Sequence, residues 1–281
     1  MKKHIQFYFL KKQNTVMKAI GFYSLIISFL ICLFGCGNKD NSIVLKPNSV
    51  FQYSTLSALL EGVYDGELTV GELKKHGNYG IGTFNALDGE MVLCEGECYK
   101  VTSDSKVIKV SDSEKTPFAA VCTFVPDTII KIGHALNLKE IKHYVDSVIP
   151  SNNLLYAYRI SGSFDSIVIR SVPKQQKPYV RLIEAYKAQG VYTFAHLDGI
   201  LFGYKFPHYL KDVNMDDYHF HFLTTDKSKG GHLLSCTIMN GEIDVAIIRN
   251  FQLQLPDNNY FNATKFLNSK SELLKIEGEN N

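Results

Sequence analysis

Net charge, repeated sequence and closely spaced cysteines are all scarce in this chain, and each scarcity excludes a class of function. The 30 basic and 28 acidic residues leave a formal charge of +2 over 281 residues. Even that excess is local. The first 35 residues hold five lysines (Lys2, Lys3, Lys11, Lys12, Lys18) and no acid, so the remainder carries 25 basic and 28 acidic residues, a net of −3. Binding to nucleic acid through phosphates requires a basic face, so no nucleic-acid partner is expected. No short-period repeat is present, which excludes a solenoid. Cys94 and Cys98 have no second closely spaced pair to complete a zinc site of cysteines. With 45% hydrophobic and 21% charged residues, the composition is globular and excludes a disordered or collagen-like chain.

Charge is also missing from Ala19 to Asn38. Ile20, Phe22, Leu25, Ile26, Ile27, Phe29, Leu30 and Ile31 form an apolar run directly after Lys18, the layout of a secretory signal. The run ends in Leu33-Phe34-Gly35-Cys36, which resembles a bacterial lipoprotein box. The expectation is a signal peptide over 1–35, lipidation of Cys36, a polar tether over 36–50 and an exported protein held to a membrane by its N-terminal lipid. The competing reading is a permanent transmembrane anchor, since the run is nearly long enough to span a bilayer. Glu95-Gly96 can form a turn between Cys94 and Cys98, so a disulfide between them is one possible outcome of export.

The body alternates short apolar runs with turn residues, which predicts a mixed α/β, strand-rich fold. Two sheet-bearing halves, 51–150 and 151–281, are expected to carry a few helices. Helices are predicted over 54–60, where Ser54-Thr55 can cap, near 70–73, over 136–148 and over 271–276. Strands are predicted over 80–84, 87–93, 96–101, 106–110 and 118–124. In the second half they are predicted over 156–162, 164–170, 191–197, 200–206, 219–225, 231–240 and 242–248. Asp198-Gly199 and Asn240-Gly241 read as hairpin turns.

Three of the nine histidines carry the chemistry. His219 and His221 are two apart, so on a strand they project to one side while Phe220 turns into the core. Residues 225–231 read as a turn that returns the chain antiparallel, placing His232 beside the first pair. Three neutral imidazoles on one face of a β-hairpin suit Zn²⁺ or a similar divalent ion, with coordination positions left open.

Around this hairpin the sequence resembles a known family. Tyr218-His219-Phe220-His221-Phe222 with Gly230-Gly231-His232 resembles the metal-binding hairpin of the α-acetolactate decarboxylases. Ser54-Thr55-Leu56-Ser57-Ala58-Leu59-Leu60-Glu61-Gly62-Val63-Tyr64-Asp65-Gly66 is similar to their opening segment. His76-Gly77-Asn78-Tyr79-Gly80-Ile81-Gly82-Thr83-Phe84, Leu87-Asp88-Gly89-Glu90 and Gly203-Tyr204-Lys205-Phe206-Pro207 match further blocks. In order, these cover almost all of residues 51–250.

The resemblance implies conversion of 2-acetolactate to acetoin without an organic cofactor. A divalent metal, usually zinc, would be held by His219, His221 and His232 and act as electron sink for an enediolate. It further implies Glu90, Arg170 and Thr83 as active-site residues, a second glutamate from the tail (Glu277, with Glu279 as the alternative), and a homodimer. Arg170 would hold the substrate carboxylate or an oxygen developing charge, and Glu90 or Glu277 would protonate the product carbon. Two other readings remain open at this point. One is a related metal-dependent enzyme acting on another hydroxy-keto acid. The other is a non-catalytic lipoprotein that binds a small ligand.

Overall fold

A computed structural model describes residues 47–266. The leader, Cys36, the expected helix over 271–276 and the tail glutamates Glu277 and Glu279 lie outside the described residues. Among the described residues no helix is long and apolar enough to cross a membrane.

Strand β1 (Ser49–Tyr53) opens the fold. It begins inside the stretch expected as tether, because Val50 pairs with Cys122 and is fully buried. Helix α1 (Leu56–Leu60) starts where Thr55 Oγ1 accepts the Ala58 N–H at 3.2 Å, the expected cap. Helix α2 (Val70–Leu73) starts on a reciprocal capping box between Thr69 and Glu72. Then come β2 (Tyr79–Thr83), β3 (Glu90–Cys94), β4 (Glu97–Val101), β5 (Val107–Lys109) and β6 (Ala119–Cys122). Strands β7 (Thr128–Ile132) and β8 (Leu136–Asn137), which the pattern did not reveal, precede helix α3 (Leu138–Val148). The second run comprises β9 (Leu155–Ser171), α4 (Leu182–Ala185), β10 (Gly190–Phe206), β11 (Asp217–Thr224), β12 (Gly230–Ile248), β13 (Asn250–Gln254) and α5 (Asn259–Ala263).

The strands form two sheets. The first has the order β13-β1-β6-β2-β3-β4-β5 and the second β11-β10-β9-β12-β7, with β8 beside β12. Sheet membership crosses residue 150 in both directions: β13 joins the first sheet, while β7 and β8 join the second. Strand β11 pairs with β10 along its length and with β12 at Phe222, His221 and Leu223. The strands β11-β10-β9-β12 therefore close on themselves at that end. Ile81, Val92 and Val101 of the first sheet pack against Phe202, Leu223 and Ala246 of the second. Helix α3 buries Ile141 and Val145 on the far face of the second sheet. Each such aliphatic side chain contributes about 1.5–3 kcal/mol relative to exposure.

Two expected hairpins are absent. Residues 190–206 form one strand and 230–248 another, running straight through Asp198-Gly199 and Asn240-Gly241. A two-residue Asn-Gly turn needs both residues left-handed, and Asn240 is not among the residues with positive φ. The glycines serve another purpose. Gly199 and Gly241 both pair with Gly162, so three glycines stand side by side across β10, β9 and β12. A Cβ on Gly162 would lie 2.1 Å from the Asn240 carbonyl oxygen. Glycine here permits close backbone approach along long strands, one of which carries register shifts between Thr237 and Asn240. For the same reason, the strands expected over 156–162 and 164–170 are the single strand β9.

The disulfide between Cys94 and Cys98 does not form. Glu95 and Gly96 make the expected turn, with φ of 55° and 80°. The resulting register pairs Cys94 with Glu97 and Leu93 with Cys98. The two cysteines therefore face opposite sides of the sheet, Cys94 between the sheets and Cys98 in the outer cluster. Cys94, Cys98, Cys122 and Cys236 are all buried and free.

Candidate active site

The site forms where the closed end of the second sheet meets the start of β3. On β11, Tyr218, Phe220 and Phe222 point into the α3-side core, so the alternate residues His219 and His221 face the first sheet. The turn over 225–229 returns the chain, and His232 on β12 pairs directly with His221. The ring centroids lie 5.1 Å (His219–His221), 4.8 Å (His219–His232) and 5.4 Å (His221–His232) apart. One ligand atom from each lies within 4.8 Å of the other two. His221 and His232 are buried, while His219 keeps partial exposure.

Each imidazole has a defined neighbour. His221 Nδ1 donates to the Met91 carbonyl oxygen at 2.8 Å. That bond fixes the tautomer and leaves Nε2 as a lone pair, and Glu90 Oε2 lies 3.6 Å from Nε2. His219 Nε2 lies 3.1 Å from His232 Nδ1. Arg170 Nη2 donates to His232 Nε2 at 3.1 Å; Arg170 is the register partner of His232 on β9.

Electrostatics keep the three rings neutral. Burial, the largest cause, holds His219 and His232 well below the ordinary histidine range, and the Arg170 cation adds to it in both. Burial lowers His221 to about 4, partly offset by its bond to Met91, with Arg170 lowering it further. At neutral pH the rings therefore retain the uncharged form that a metal ligand requires.

Glu90 and Arg170 reach the histidines from different sheets. Glu90 opens β3 after a loop in which Ala86, Leu87 and Gly89 have φ of 61°, 54° and 86°. Such conformations persist only when surrounding contacts enforce them. Here the Ala86 N–H donates to the Tyr64 carbonyl at 2.8 Å, the Gln175 N–H donates to the Ala86 carbonyl at 2.7 Å, and Lys100 Nζ bonds Asp88 Oδ2 at 2.9 Å. Arg170 is only 1% exposed, and Tyr186 lies beneath its guanidinium.

Thr83 pairs with Glu90 across β2 and β3, but its hydroxyl donates to the Gly89 carbonyl at 2.7 Å. The structure thus shows it bracing the turn that delivers Glu90. Thr83→Val removes that bond and leaves a buried carbonyl poorly paired, so a loss of about 1–3 kcal/mol is expected. Chemical denaturation checks this, and an unchanged midpoint would exclude the bracing role.

The site thus gathers His219, His221, His232, Glu90 and Arg170, with Thr83 one bond behind Glu90. Glu277 lies outside the described residues. Sequence reasoning did not find Met91, whose carbonyl orients His221, because every residue has a carbonyl. Nor did it find Tyr186, whose signal is an aromatic residue shortly before the strand that pairs with β9. His76, His196 and His208 stand apart: His76 stacks on Phe51 with centroids 3.8 Å apart, and the other two are exposed beside Asp165 and Asp216.

This geometry coincides with a family relationship. The family profile described as Alpha-acetolactate decarboxylase matches residues 50–268. The chain belongs to the α-acetolactate decarboxylase family. An α-acetolactate decarboxylase of Methylococcus capsulatus is 40% identical over 235 residues, covering 84% of this chain and 90% of that protein. That of Bacillus subtilis is 35% identical over 228 residues, covering 81% and 88%. The crystal structure of the Bacillus subtilis protein superimposes with a TM-score of 0.79 at 33% identity, covering 82% of this chain and 98% of that one. As a member of the α-acetolactate decarboxylase family, the chain is a carboxy-lyase. The strand-rich, two-sheet fold expected from sequence is the family's fold.

Proposed function

We propose that this chain decarboxylates 2-acetolactate to acetoin with the help of a divalent cation, Zn²⁺ being the best fit, held by His219, His221 and His232. The observation that carries this reading is the convergence of three neutral imidazoles beside a buried arginine and a buried glutamate. The donor set suits the ion: three nitrogen ligands on rigid strands, one of them oriented by a backbone carbonyl, leave positions open for substrate. When bound, such an ion would supply a Lewis acid that stabilises the negative charge reaching the substrate's carbonyl oxygen as the carbon–carbon bond to the carboxylate breaks.

The chain's own residues do the rest. Arg170 presents a fork of N–H donors that matches a carboxylate, and its burial keeps water from competing for it. Glu90 lies beside His221, and in this reading it delivers a proton to the carbon that loses CO₂, which gives acetoin. Carbon dioxide leaves and one proton enters, so the reaction requires no other co-reactant. The tail residue Glu277, or Glu279, is the second proton-transfer candidate.

The test is to follow acetoin release from racemic acetolactate by purified protein, with metal content measured in parallel. Acetoin release that falls on chelation and returns with Zn²⁺ supports the reading. Turnover confined to another hydroxy-keto acid would move the assignment to a related enzyme, and binding without turnover would make the chain a ligand-binding protein. We also propose that the enzyme is exported, lipidated at Cys36, and works as a homodimer. Cys36→Ser is expected to move the protein out of the membrane fraction, and light scattering reads the oligomer.

A further inference from the structure

The groups assigned to the substrate are almost closed off from solvent. Arg170 is 1% exposed, His221 1%, His232 4% and Glu90 9%, and His219 keeps only partial exposure. A substrate carboxylate cannot reach a guanidinium covered to that degree unless part of the surroundings moves. The strands themselves are poor candidates for that movement. Strand β9 is paired with β10 on one side and β12 on the other, so displacing it would break both ladders at once.

The segment that follows β9 is built differently. Residues 173–181 run from buried Val172 to buried Leu182, and none of them is itself buried. Of the segment, Tyr179 packs against the cluster that holds both ends. The other attachments to the body are polar. The Gln175 N–H donates to the Ala86 carbonyl at 2.7 Å. Lys174 Nζ lies 3.6 Å from Asp88 Oδ2, and Lys177 Nζ lies 2.5 Å from Asp65 Oδ2. The Tyr179 hydroxyl donates to Asp65 Oδ1 at 2.9 Å, and Arg181 donates to both carboxylate oxygens of Glu61 at 2.9 and 2.8 Å. Ion pairs half-open to water are individually weak, and a segment with so little buried apolar surface belongs to the low-stability part of a fold. Two of these attachments fall on the loop that carries Glu90, in which Ala86, Leu87 and Gly89 are left-handed. Releasing the segment therefore loosens that loop and frees the chain just beyond Arg170 in one movement.

We infer that residues 173–181 form a lid. It opens to admit substrate to Arg170 and, on closing, steadies the Glu90 loop, with Asp65 as the latch that Lys177 and Tyr179 engage. This rests on the reading of Arg170 and Glu90 as the groups that act on the substrate.

Hydrogen–deuterium exchange on the zinc-loaded full chain reads the lid directly, with E90Q as a slow variant that holds acetolactate in place. At about ten times its dissociation constant, acetolactate is expected to slow exchange over 173–181 about tenfold, the Gln175 amide included, while the ladder between β9 and β10 exchanges as before. Without substrate, D65N is expected to speed exchange over 173–181 about fivefold, the size of one partly exposed ion pair, and to raise KM by up to the same factor. K177Q should reproduce both effects, and D65N combined with K177Q should add little to either single change, because both break the same pair. Thermal melting identifies a variant that fails to fold, and either single variant suffices for the comparison. Calorimetry on the same E90Q sample shows whether acetolactate is bound. Bound acetolactate that leaves exchange over 173–181 unchanged overturns the inference, as does a folded D65N or K177Q whose lid exchanges like the parent's. If E90Q binds no acetolactate, or the parent releases no acetoin, the reading of Arg170 and Glu90 is what fails, and the lid falls with it.

Discussion

A chain carrying both His219→Ala and His221→Ala is expected to purify folded, without bound metal and without measurable acetoin production. The double change removes two of the three imidazoles whose ligand atoms converge within 4.8 Å. The lone remaining imidazole, His232, cannot hold a divalent ion at enzyme concentration, since affinity at such sites depends on the full donor set. A Lewis acid contributes several kcal/mol to charge stabilisation, so its loss corresponds to a rate decrease of roughly 10³-fold. The fold survives because β11 keeps its backbone ladder to β10 from Thr224 to Asp217, and Phe220 and Phe222 remain in the core. The main cost is the Met91 carbonyl losing the His221 N–H, about 1–3 kcal/mol. Elemental analysis, circular dichroism and the acetoin assay together decide the matter. A folded double variant with full turnover would refute the metal mechanism.

Glu90→Gln is expected to lower kcat by about 10²–10⁴-fold, the range for loss of a positioned proton-transfer group, while metal content stays the same. Gln fills the same volume and still pairs on β3 with Thr83 and Val101, so the loop that delivers residue 90 should hold. The carboxylate lies 3.6 Å from His221 Nε2, which puts it beside the three histidines without making it one of their group. If Glu90 only capped a turn, kcat would change by less than a few-fold and stability would fall instead. Measuring kcat and the unfolding midpoint on the same preparation separates the two roles. Lost activity at an unchanged midpoint identifies proton transfer.

The three histidines were legible in the sequence because their placement depends on local rules. Spacing of two on a strand puts His219 and His221 on one face, and a turn of five residues brings His232 back beside them. The cap at Thr55 likewise reflects a contact within three residues. Glu90 and Arg170 were placed by family resemblance alone. Nothing within reach along the chain marks Glu90 as more than a turn carboxylate, or Arg170 as more than a strand residue.

Glycine signals misled where neighbouring strands, rather than neighbouring residues, set the requirement. Gly199 and Gly241 look like turns in isolation, yet each is needed for close approach to Gly162. The cysteines teach the same lesson. Turn and spacing alone allow Cys94 to meet Cys98, and a one-residue offset in register turns them to opposite faces.

Sequence alone determined the strand-rich character, the imidazole hairpin and the membership of its chemistry in a metal-suited class, because side-chain alternation and turn residues act over a few positions. Only the tertiary structure decided that Arg170 sits across from His232, that Met91 orients His221, and that Tyr186 underlies the arginine. These contacts join residues 62, 130 and 16 positions apart. They exist because strand pairing and sheet packing, which no local pattern encodes, bring the closed end of one sheet against the first residues of a strand in the other.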